Sequence, residues 1–518
     1  MDRNKHGSQS IWQKIEHPLF PSLNAHHHCD VCIIGAGIAG LSTAYRLLEA
    51  GKSVVVLDRE SIGQGETGLT SAHLASALDD GFARLKRLHG KKGLSLAIES
   101  HAAAIDEIER IVKKEKIDCS FERVKGYLFL GADSSRQELI SEYELTKETP
   151  LSDAELIENA PGEIFETGIC VAFPRQAQFH PLRYLNALAL AVQAKGGKIF
   201  THTEVKSVEG GRPARVTTDR GFQVVSAAVV VAANVPFNDR VTMHTKMAAY
   251  RTYCVGLRVP SRKSPALGLY WDNSDPYHYV RWAKDPEGEI LIVGGEDHRT
   301  GQDGEAVDHY EKLRRWAAER LGVHAPIAYS WSGQVMEPHD GLAFIGRNPH
   351  DEENVFIVTG DSGHGLTHGT IAGILLTDLI KGKPNPWAKL YDPSRVSLLS
   401  LNTFVKETMQ STVPYSDWID GGDVSSPQDI PKCEGAVIRE GLQKIAVYKD
   451  SFGRIHRYSA VCPHLNGIVR WNSAEKTWDC PCHGSRFDKM GNVINGPATI
   501  GLLEIADSSI QEGESASA

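Results

Sequence analysis

The sequence lacks the features that would assign it to a membrane or to nucleic acid. Its 518 residues contain no apolar run of the roughly 20 residues that a transmembrane helix needs. Positive charge is not in excess, because 56 Lys and Arg stand against 65 Asp and Glu, with a net charge of −9. Residues 1–28 are polar and lack the apolar core of a signal peptide. We therefore expect a cytoplasmic protein with no nucleic-acid partner and no membrane insertion.

Cysteine is also sparse. The nine cysteines are an odd number, in a chain long enough for about three domains, and this favours a reducing compartment over a disulfide framework. Cys29 and Cys32 form a CxxC, but they fall on a predicted strand, where their side chains point to opposite faces. We interpret them as buried strand residues and not as a redox pair.

The most informative stretch that is present is 31–58. An apolar strand ends in a glycine-rich turn, a helical segment follows, and a second β-rich run stops at Asp58, 18 residues beyond Gly40. The glycines of such a GxGxxG turn permit the tight turn, a close approach of backbone to a pyrophosphate, and close packing of helix on strand, while the acid binds ribose hydroxyls. The motif occurs once in the chain, and a turn without a ligand is the alternative. The residues expected at a dinucleotide are Gly35, Gly37, Ile38, Ala39, Gly40 and Asp58.

The loop after the second strand reads GQGETGLTSAHLA and is rich in glycine and small hydroxyl residues. Its position directly after the dinucleotide-binding unit favours ligand contact, and a plain surface loop is the alternative. His73 could be catalytic or could serve packing. The expected contacts from this stretch are Arg59, Gly65, Thr70, Ser71 and His73.

Residues 250–297 have the alternation of an antiparallel sheet with one face solvated or directed at a pocket. Tyr277, Tyr279 and Arg281 share one strand face, and Arg251 and Tyr253 share another. A wall of aromatic and arginine side chains suits a small carboxylate-bearing substrate, whereas cross-strand pairing on an exposed face is the alternative. Tyr277, Tyr279 and Arg281 are therefore candidate catalytic residues.

Periodicity elsewhere predicts further helices and strands. A strand, a loop with four glycines between residues 360 and 369, and a helix recur over 355–382. The predicted helices are 81–116, 137–160, 181–195, 309–321 and 396–411, and the predicted strands include 121–131, 168–180 and 229–233.

The C-terminal part combines short β segments with two tight ligand motifs. A CxH ends at His464 and, after 15 intervening residues, a CxxH begins at Cys480. Two thiolates on one iron and two imidazoles on the other are the ligand set of a Rieske [2Fe–2S] centre. The alternative is a structural zinc site. The expected metal ligands are Cys462, His464, Cys480 and His483.

Residues 30 to about 385 resemble the flavoprotein family of D-amino-acid oxidase, glycine oxidase and sarcosine oxidase. The shared pieces are the GxGxxG turn with Asp58, the 63–74 loop, VVVAANVPF, DGLAFIG and GDSGHGLTHG. The resemblance implies that the turn binds FAD and that Val205 lies on the adenine side. It implies noncovalent FAD, because residues 333–336 read GQVM where some members attach the flavin to a cysteine. It also adds His364 as a candidate catalytic residue. The residues implied near the isoalloxazine are Gly363, His364, Gly365, Leu366 and Thr367.

The segments VCPHLNG, CPCHGSRFD and NGPAT closely resemble Rieske domains. Cys482 matches a position that is disulfide-bonded in respiratory-chain relatives, but the first loop here has Asn466 and Gly467, so no disulfide is expected. Ser485 matches a hydroxyl that hydrogen-bonds cluster sulfur and raises the potential. Phe487 stands where high-potential relatives have tyrosine, so the resemblance implies an intermediate potential.

These observations predict three structured units. They are an α/β FAD-binding domain of the Rossmann-like, glutathione-reductase type, an α+β substrate domain with an antiparallel sheet, and an all-β Rieske domain. The expected ranges are 1–28 for an N-terminal arm, 29–90, 160–245 and 335–390 for the FAD-binding domain, 91–159 and 246–334 for the substrate domain, 391–420 for a linker, 421–508 for the Rieske domain and 509–518 for a disordered tail.

The expected activity is oxidation of a small amine or amino acid by hydride transfer to FAD. Electrons would pass to the [2Fe–2S] cluster and then to an external acceptor, or to oxygen. Two alternatives are a ferredoxin-reductase-like protein, disfavoured by the lack of a second GxGxxG, and a redox-sensing binding module without turnover. A third, a mononuclear iron site at Asp361, His364 and His368, is disfavoured because the glycine-rich loop already explains these residues.

Overall fold

The computed structural model describes residues 9–161, 166–238, 243–260, 267–302, 308–349, 351–396, 418 and 421–505. The helices are α1 (Ile38–Glu49), α2 (Phe82–Glu115), α3 (Arg136–Thr146), α4 (Pro181–Ala194), α5 (His309–Leu321), α6 (Gly365–Ile380) and α7 (Ala388–Tyr391). The strands are β1 (His27–Ile34), β2 (Val54–Leu57), β3 (His73–Leu74), β4 (Glu122–Phe129), β5 (Glu155–Ile157), β6 (Cys170–Gln178), β7 (Lys198–Phe200), β8 (Val205–Glu209), β9 (Ala214–Thr218), β10 (Gln223–Val231), β11 (Met247–Val259), β12 (Gly268–Asp272), β13 (Tyr279–Asp285), β14 (Gly288–Arg299), β15 (Ile327–Pro338), β16 (Phe344–Arg347), β17 (Val355–Thr359), β18 (Glu434–Glu440), β19 (Gln443–Lys449), β20 (Ile455–Ser459), β21 (Arg470–Asn472), β22 (Thr477–Asp479), β23 (Arg486–Asp488) and β24 (Val493–Asn495).

The first sheet is the dinucleotide-binding scaffold. Its strands follow the order β16-β17-β10-β1-β2-β7, and all but β16 run parallel, while the β8–β9 hairpin is attached to β10. Ile33 lies between Val230 and Val56 and is fully buried, as the apolar run in β1 predicts for a strand covered on both faces. The helices α1 and α6 pack together over this sheet. Ligands of such open sheets bind at the carboxyl ends of the strands, where the glycine turn lies.

The second sheet has the order β15-β11-β14-β13-β12-β4-β6-β3, with β5 paired to β6. All its pairs are antiparallel except β12 with β4. The strand expected within 168–180 is confirmed, but as β6 it belongs to this sheet, although the range 160–245 was assigned to the FAD-binding domain. The short β3 also belongs to the second sheet, although the range 29–90 that contains it was assigned to the FAD-binding domain.

The expected helix over 137–160 is too long. The helix α3 ends at Thr146, and residues 155–157 form a strand instead. Pro150 accounts for the difference, because the residue before a proline is disfavoured in the helical conformation. The other expected helices within the described residues are confirmed to within a few positions, and α2 bends at Gly90, which has a φ of 72°.

The C-terminal unit contains two antiparallel sheets, β18-β19-β20 and β21-β22-β23-β24. They enclose a separate small core that includes Trp478 and Phe487, both fully buried. The expected all-β domain is confirmed. Residues 397–400 and 401–411 of the expected connector helix and the expected tail at 509–518 lie outside the described residues.

The described part of the N-terminal arm packs on the rest of the protein. Trp12 is 3% exposed, and its indole Nε1 donates a 2.7 Å hydrogen bond to the carbonyl of Thr70. Leu23 is also buried, and His27 and His28 already belong to β1. Trp12 therefore packs beside the loop of residues 63–71, whereas Leu23 belongs to the core of the first sheet. Among the described helices, none has both the length and the apolar content that crossing a bilayer requires.

Candidate functional site

A large cavity lies between the first two sheets, at the carboxyl ends of the parallel strands. Its walls come from the glycine turn, the 63–71 loop, β11 to β13, the loop before α6, and residues 494–499 of the C-terminal domain. Of the residues expected at the cofactor, those that line this cavity are Gly35, Gly37, Ile38, Ala39, Asp58, Arg59, Gly65, Thr70, Ser71, His73, Val205, Gly363, His364, Gly365 and Leu366.

The glycine turn has the shape that a dinucleotide needs. Gly35 has a φ of 106°, and a Cβ there would lie 2.3 Å from the carbonyl oxygen of Ala232. A Cβ on Gly40 would lie 1.8 Å from the carbonyl oxygen of Gly35. Gly40 therefore packs α1 against the turn and does not line the cavity, which corrects its assignment as a cofactor contact. Gly37 does face the cavity and leaves backbone accessible to a pyrophosphate.

Asp58 closes the same end of the cavity. Its Oδ2 accepts a 2.6 Å hydrogen bond from the backbone N–H of Ala36, and its Oδ1 accepts one of 2.8 Å from Glu60 N–H. Burial raises the pKa of this carboxyl, and the two backbone bonds oppose the rise. The carboxylate is thus fixed at the end of β2, beside the turn, where it can accept hydrogen bonds from ribose hydroxyls. The turn, the acid and the cavity together fit FAD.

Thr367 and Arg281 were expected at the site, but neither lines the cavity. The hydroxyl of Thr367 contacts His101 Nδ1 at 2.8 Å behind α6. The guanidinium of Arg281 donates to the carbonyls of Ser71 and Ala72, at 3.3 and 2.6 Å, and so supports the loop from behind. Arg281 is therefore bound to backbone carbonyls, and a catalytic role for it stays a prediction.

Tyr277, Tyr279 and His364 do face the cavity, near the loop before α6. His364 Nε2 lies 2.7 Å from Asp79 Oδ1, and Tyr277 also hydrogen-bonds Asp79. Burial lowers the pKa of His364, but the Asp79 carboxylate outweighs burial and the net shift is upward. The pKa of Asp79 is lowered, because His364 outweighs its burial. The two groups therefore form a buried ion pair at this end of the cavity.

More carboxyl groups surround that pair. Burial raises the pKa of Asp361 to about 6 and those of Glu337 and Asp297 to about 7. Burial lowers the pKa of His73 to about 3, so its imidazole is neutral there. This end of the cavity is thus rich in acidic side chains and includes a neutral imidazole.

The residues of the disfavoured mononuclear iron site have other roles. Asp361 Oδ1 accepts a 2.9 Å hydrogen bond from Met336 N–H, His368 Nδ1 lies 2.9 Å from the carbonyl of Asp361, and His364 pairs with Asp79. Within the described residues, no group of three or more His, Cys, Asp or Glu side chains converges on a single ion. The described geometry therefore does not assemble this triad.

The four expected cluster ligands lie together on two adjacent loops of the C-terminal domain. The thiols of Cys462 and Cys480 are in hydrogen-bonding contact, and the rings of His464 and His483 have centroids 5.0 Å apart. Burial lowers the pKa of His483 to about 3, so it holds the neutral form that binds metal. A pair of thiols and a pair of imidazoles fits two irons with two protein ligands each.

We call the two loops that carry Cys462, His464, Cys480 and His483 the cradle. Cys482 and Ser485 lie beside these ligands. A Cβ on Gly467 would lie 2.5 Å from Cys482 Sγ, so the first loop approaches the second closely at the position where respiratory-chain relatives carry the disulfide. Cys482 forms no disulfide. Ser485 is fully buried, hydrogen-bonds Cys462 and accepts a 3.0 Å bond from Ala498 N–H. The intermediate potential stays a prediction.

The cradle packs against residues of the first two domains. The ring of His244, just before β11, lies with its centroid 4.9 Å from that of His464 and 6.0 Å from that of His483. Gln334 lines the cavity, and its Nε2 donates a 2.9 Å hydrogen bond to the carbonyl of Gly484. One side chain therefore reaches from the cavity to the loop that carries a cluster ligand.

Buried ion pairs link the substrate domain to the Rieske domain. Arg251 is fully buried and donates to Glu475 at 2.8 Å, and Glu475 also accepts from Arg486 at 3.2 Å. Burial raises the pKa of Glu475, but the two arginines outweigh it and hold the value at about 2. Arg251 therefore faces the C-terminal domain, and the expected wall of aromatic and arginine side chains is aromatic only.

Sequence reasoning missed the cavity walls that come from distant segments. Glu66 accepts 2.7 Å hydrogen bonds from Gln334 N–H and from Asn495 Nδ2, and Arg59 donates to the carbonyl of Ile494 at 2.6 Å. Thr67 Oγ1 accepts a 3.2 Å bond from Ile38 N–H at the start of α1. The composition of the 63–71 loop hinted at Glu66 and Thr67, but no local signal marked Gln334 or Asn495.

Comparison with known families assigns both cofactor sites. The model of the family described as FAD dependent oxidoreductase matches residues 30–379, and that of the Rieske [2Fe-2S] domain matches residues 422–505. A protein named as a Rieske 2Fe-2S iron-sulfur protein, YhfW of Bacillus subtilis, is 30% identical over 97% of this chain and 98% of its own. Gamma-glutamylputrescine oxidoreductase of Escherichia coli is 26% identical over 70% of this chain and 86% of its own.

Solved structures show the same fold. Glycine oxidase from Geobacillus kaustophilus superposes with a TM-score of 0.59 at 18% identity, over 72% of this chain and 100% of that one. L-proline dehydrogenase from P. horikoshii superposes with a TM-score of 0.59 at 19% identity, over 72% of this chain and 98% of that one. The domain that matches these oxidases binds FAD, and the Rieske domain binds a [2Fe–2S] cluster. The zinc alternative is therefore set aside.

Proposed function

The chain belongs to the family of FAD-dependent oxidoreductases, and we propose that it oxidises a small amine or amino acid and passes the electrons through its Rieske cluster to an external acceptor. The number of cysteines is odd and none of the nine forms a disulfide with another, which supports a cytoplasmic location. The relatives named for an amine substrate and for an amino acid substrate support the substrate class.

The chain's own residues supply position and proton handling. When bound, FAD accepts a hydride from a substrate C–H, and the [2Fe–2S] cluster carries single electrons. Trp271, Tyr277 and Tyr279 line one side of the cavity and would orient the substrate and exclude water. His364, held by Asp79, offers a proton site beside the loop that borders the flavin in this family.

One observation carries the electron route: the cavity and the cradle share a wall. Gln334 lines the cavity and bonds the loop of a cluster ligand, and residues 494–499 of the Rieske domain also line the cavity. Two redox sites that meet in this way support internal electron transfer. A reductase fed by NADH would have to bind its nicotinamide without a second GxGxxG turn.

Anaerobic mixing of the holoprotein with a panel of amines and amino acids tests the proposal. We expect bleaching of flavin absorbance followed by reduction of the cluster, seen as its characteristic paramagnetic signal. A Gln334→Leu variant should reduce its cluster more slowly, relative to the rate at which its own flavin is bleached. A cluster that stays oxidised beside a fully reduced flavin would contradict the route, and rapid bleaching by NADH alone would favour the reductase alternative.

A further inference from the structure

Among the described residues, no lysine or arginine lines the substrate end of the cavity. Among the described residues that line the cavity, Arg59 is the only lysine or arginine. Its guanidinium donates to the carbonyl of Ile494, beside Asp58 at the dinucleotide end. A carboxylate brought into a buried site needs a cation or several hydrogen-bond donors, because its desolvation is otherwise too costly.

The two arginines of the neighbouring strands are committed elsewhere. Arg281 donates to the carbonyls of Ser71 and Ala72, and Arg251 pairs with Glu475 of the Rieske domain. Both are buried, so neither can turn into the cavity without leaving its partners unsatisfied. The strands that would offer an arginine to a substrate therefore offer none.

The groups that do face this end favour a cation or a neutral amine. Among the described imidazoles at this end, His364 is the one whose pKa is raised, and the carboxylate of Asp79, 2.7 Å away, balances its charge. Asp361 adds a further carboxyl to the lining. The aromatic faces of Trp271, Tyr277 and Tyr279 attract cations and pack on alkyl chains.

We propose that the substrate is an amine with no carboxylate on the carbon that is oxidised, and this rests on the function proposed above. With FAD bound, that carbon would give up a hydride to the flavin and the nitrogen would release a proton to solvent, so that the C–N single bond becomes a C=N bond. Asp79 binds the N–H groups of the substrate together with the hydroxyl of Tyr277. The product imine then hydrolyses in water to a carbonyl compound and an amine or ammonia.

Matched pairs that differ only by the carboxylate provide the test. The holoprotein is mixed anaerobically with 1,4-diaminobutane or ornithine, with pentylamine or norleucine, and with N-methylbutylamine or N-methylnorvaline. We expect at least one amine to bleach the flavin about tenfold faster than its amino acid. Equal or faster bleaching by the amino acids overturns the substrate class and leaves the proposed function intact. Bleaching by no member of any pair overturns both.

Variants at Asp79 test whether this side chain is responsible for the preference for amines over amino acids. Asp79→Asn should raise KM for the preferred amine about tenfold and reduce the amine-to-amino-acid ratio, whereas Asp79→Glu should restore part of both. FAD content and thermal unfolding are measured for each variant, so that loss of the fold is recognised. Asp153→Asn, which removes an exposed carboxylate that pairs with Arg175, is the control and should leave the ratio unchanged. A ratio unchanged in Asp79→Asn contradicts the proposal.

Discussion

The two cofactor sites are built in opposite ways. The Rieske cradle takes its four ligands from two short loops within residues 462–483. The FAD cavity takes its walls from segments between residues 34 and 499, and the last of these segments belongs to the Rieske domain. The cradle is therefore a local structure, whereas the cavity exists only when three domains have come together.

Because of this difference, the cofactor chemistry can be predicted from the sequence more readily than the substrate specificity. Thiolate and imidazole ligands must sit on one cluster, so their spacing along the chain is short and characteristic. A substrate pocket is shaped by the side chains of neighbouring strands, and the same residue types can point into it or away from it. Arg251 and Arg281 illustrate this, because both stand on pocket strands and both are used to hold other parts of the protein. The variants below test how separate the two sites are.

The largest effect is expected at the cradle. Cys480→Ser removes one of the two thiolates of the cluster, so iron should fall from about two atoms per chain to nearly none. FAD should remain, because the glycine turn does not depend on the cluster loops. Iron analysis and visible absorbance measure both. Cys433→Ser, which changes an exposed free thiol, is the control and should keep its iron. A normal cluster in Cys480→Ser would refute the ligand assignment.

A comparable effect is expected at the turn, for the other cofactor. Gly35→Ala places a methyl group 2.3 Å from the carbonyl oxygen of Ala232 at a φ of 106°, so FAD content should fall more than tenfold while the cluster stays. Gly51→Ala is the matched control, since it has a φ of 79° but open space around its Cβ. It should cost about 1 kcal/mol of stability and retain FAD. Equal FAD content in the two variants would contradict a role for the turn.

A smaller effect is expected at the buried ion pairs between the substrate domain and the Rieske domain. Glu475→Gln leaves the buried guanidinium groups of Arg251 and Arg486 without their shared carboxylate, a change that costs about 3–5 kcal/mol. The midpoint of thermal unfolding should fall by several degrees, and the reduction of the cluster by substrate should slow. The control Glu311→Gln removes a carboxylate from an exposed pair with Arg314 and should leave the midpoint unchanged. An unchanged midpoint in Glu475→Gln would show that the ion network does not hold the interface.

The smallest effect tests whether the Rieske domain helps to retain FAD. Asn495→Ala removes the 2.7 Å hydrogen bond to Glu66 at the cavity wall, so FAD should dissociate about threefold to tenfold faster. Asn492→Ala lies in the same part of the chain, but its side chain bonds only Asp488 in a turn and serves as the control. Release of FAD is followed by its fluorescence after dilution. Identical rates for the two variants would mean that the cavity is closed without the Rieske domain.

The sequence by itself determined the parts of this protein that are local. A strand, turn and helix around Gly35, an acid at the end of the second strand and two loops with Cys and His at short spacings identified both cofactors, because each of these features must be complete within a few tens of residues to do its chemistry. It also predicted most helices and strands, although α3 proved shorter than its charge pattern suggested.

Only the tertiary structure determined the parts of the site that come from distant segments of the chain. Gln334 and Asn495 reach the cavity because β15 and the end of β24 meet there, and no periodicity along either strand predicts that contact. Arg251 and Arg281 were expected on strands that border the pocket, but only packing determined whether their guanidinium groups would meet a substrate, a backbone carbonyl or another domain. The physical reason is that a charged side chain goes to the partners that compensate its burial, and those partners lie far away along the chain.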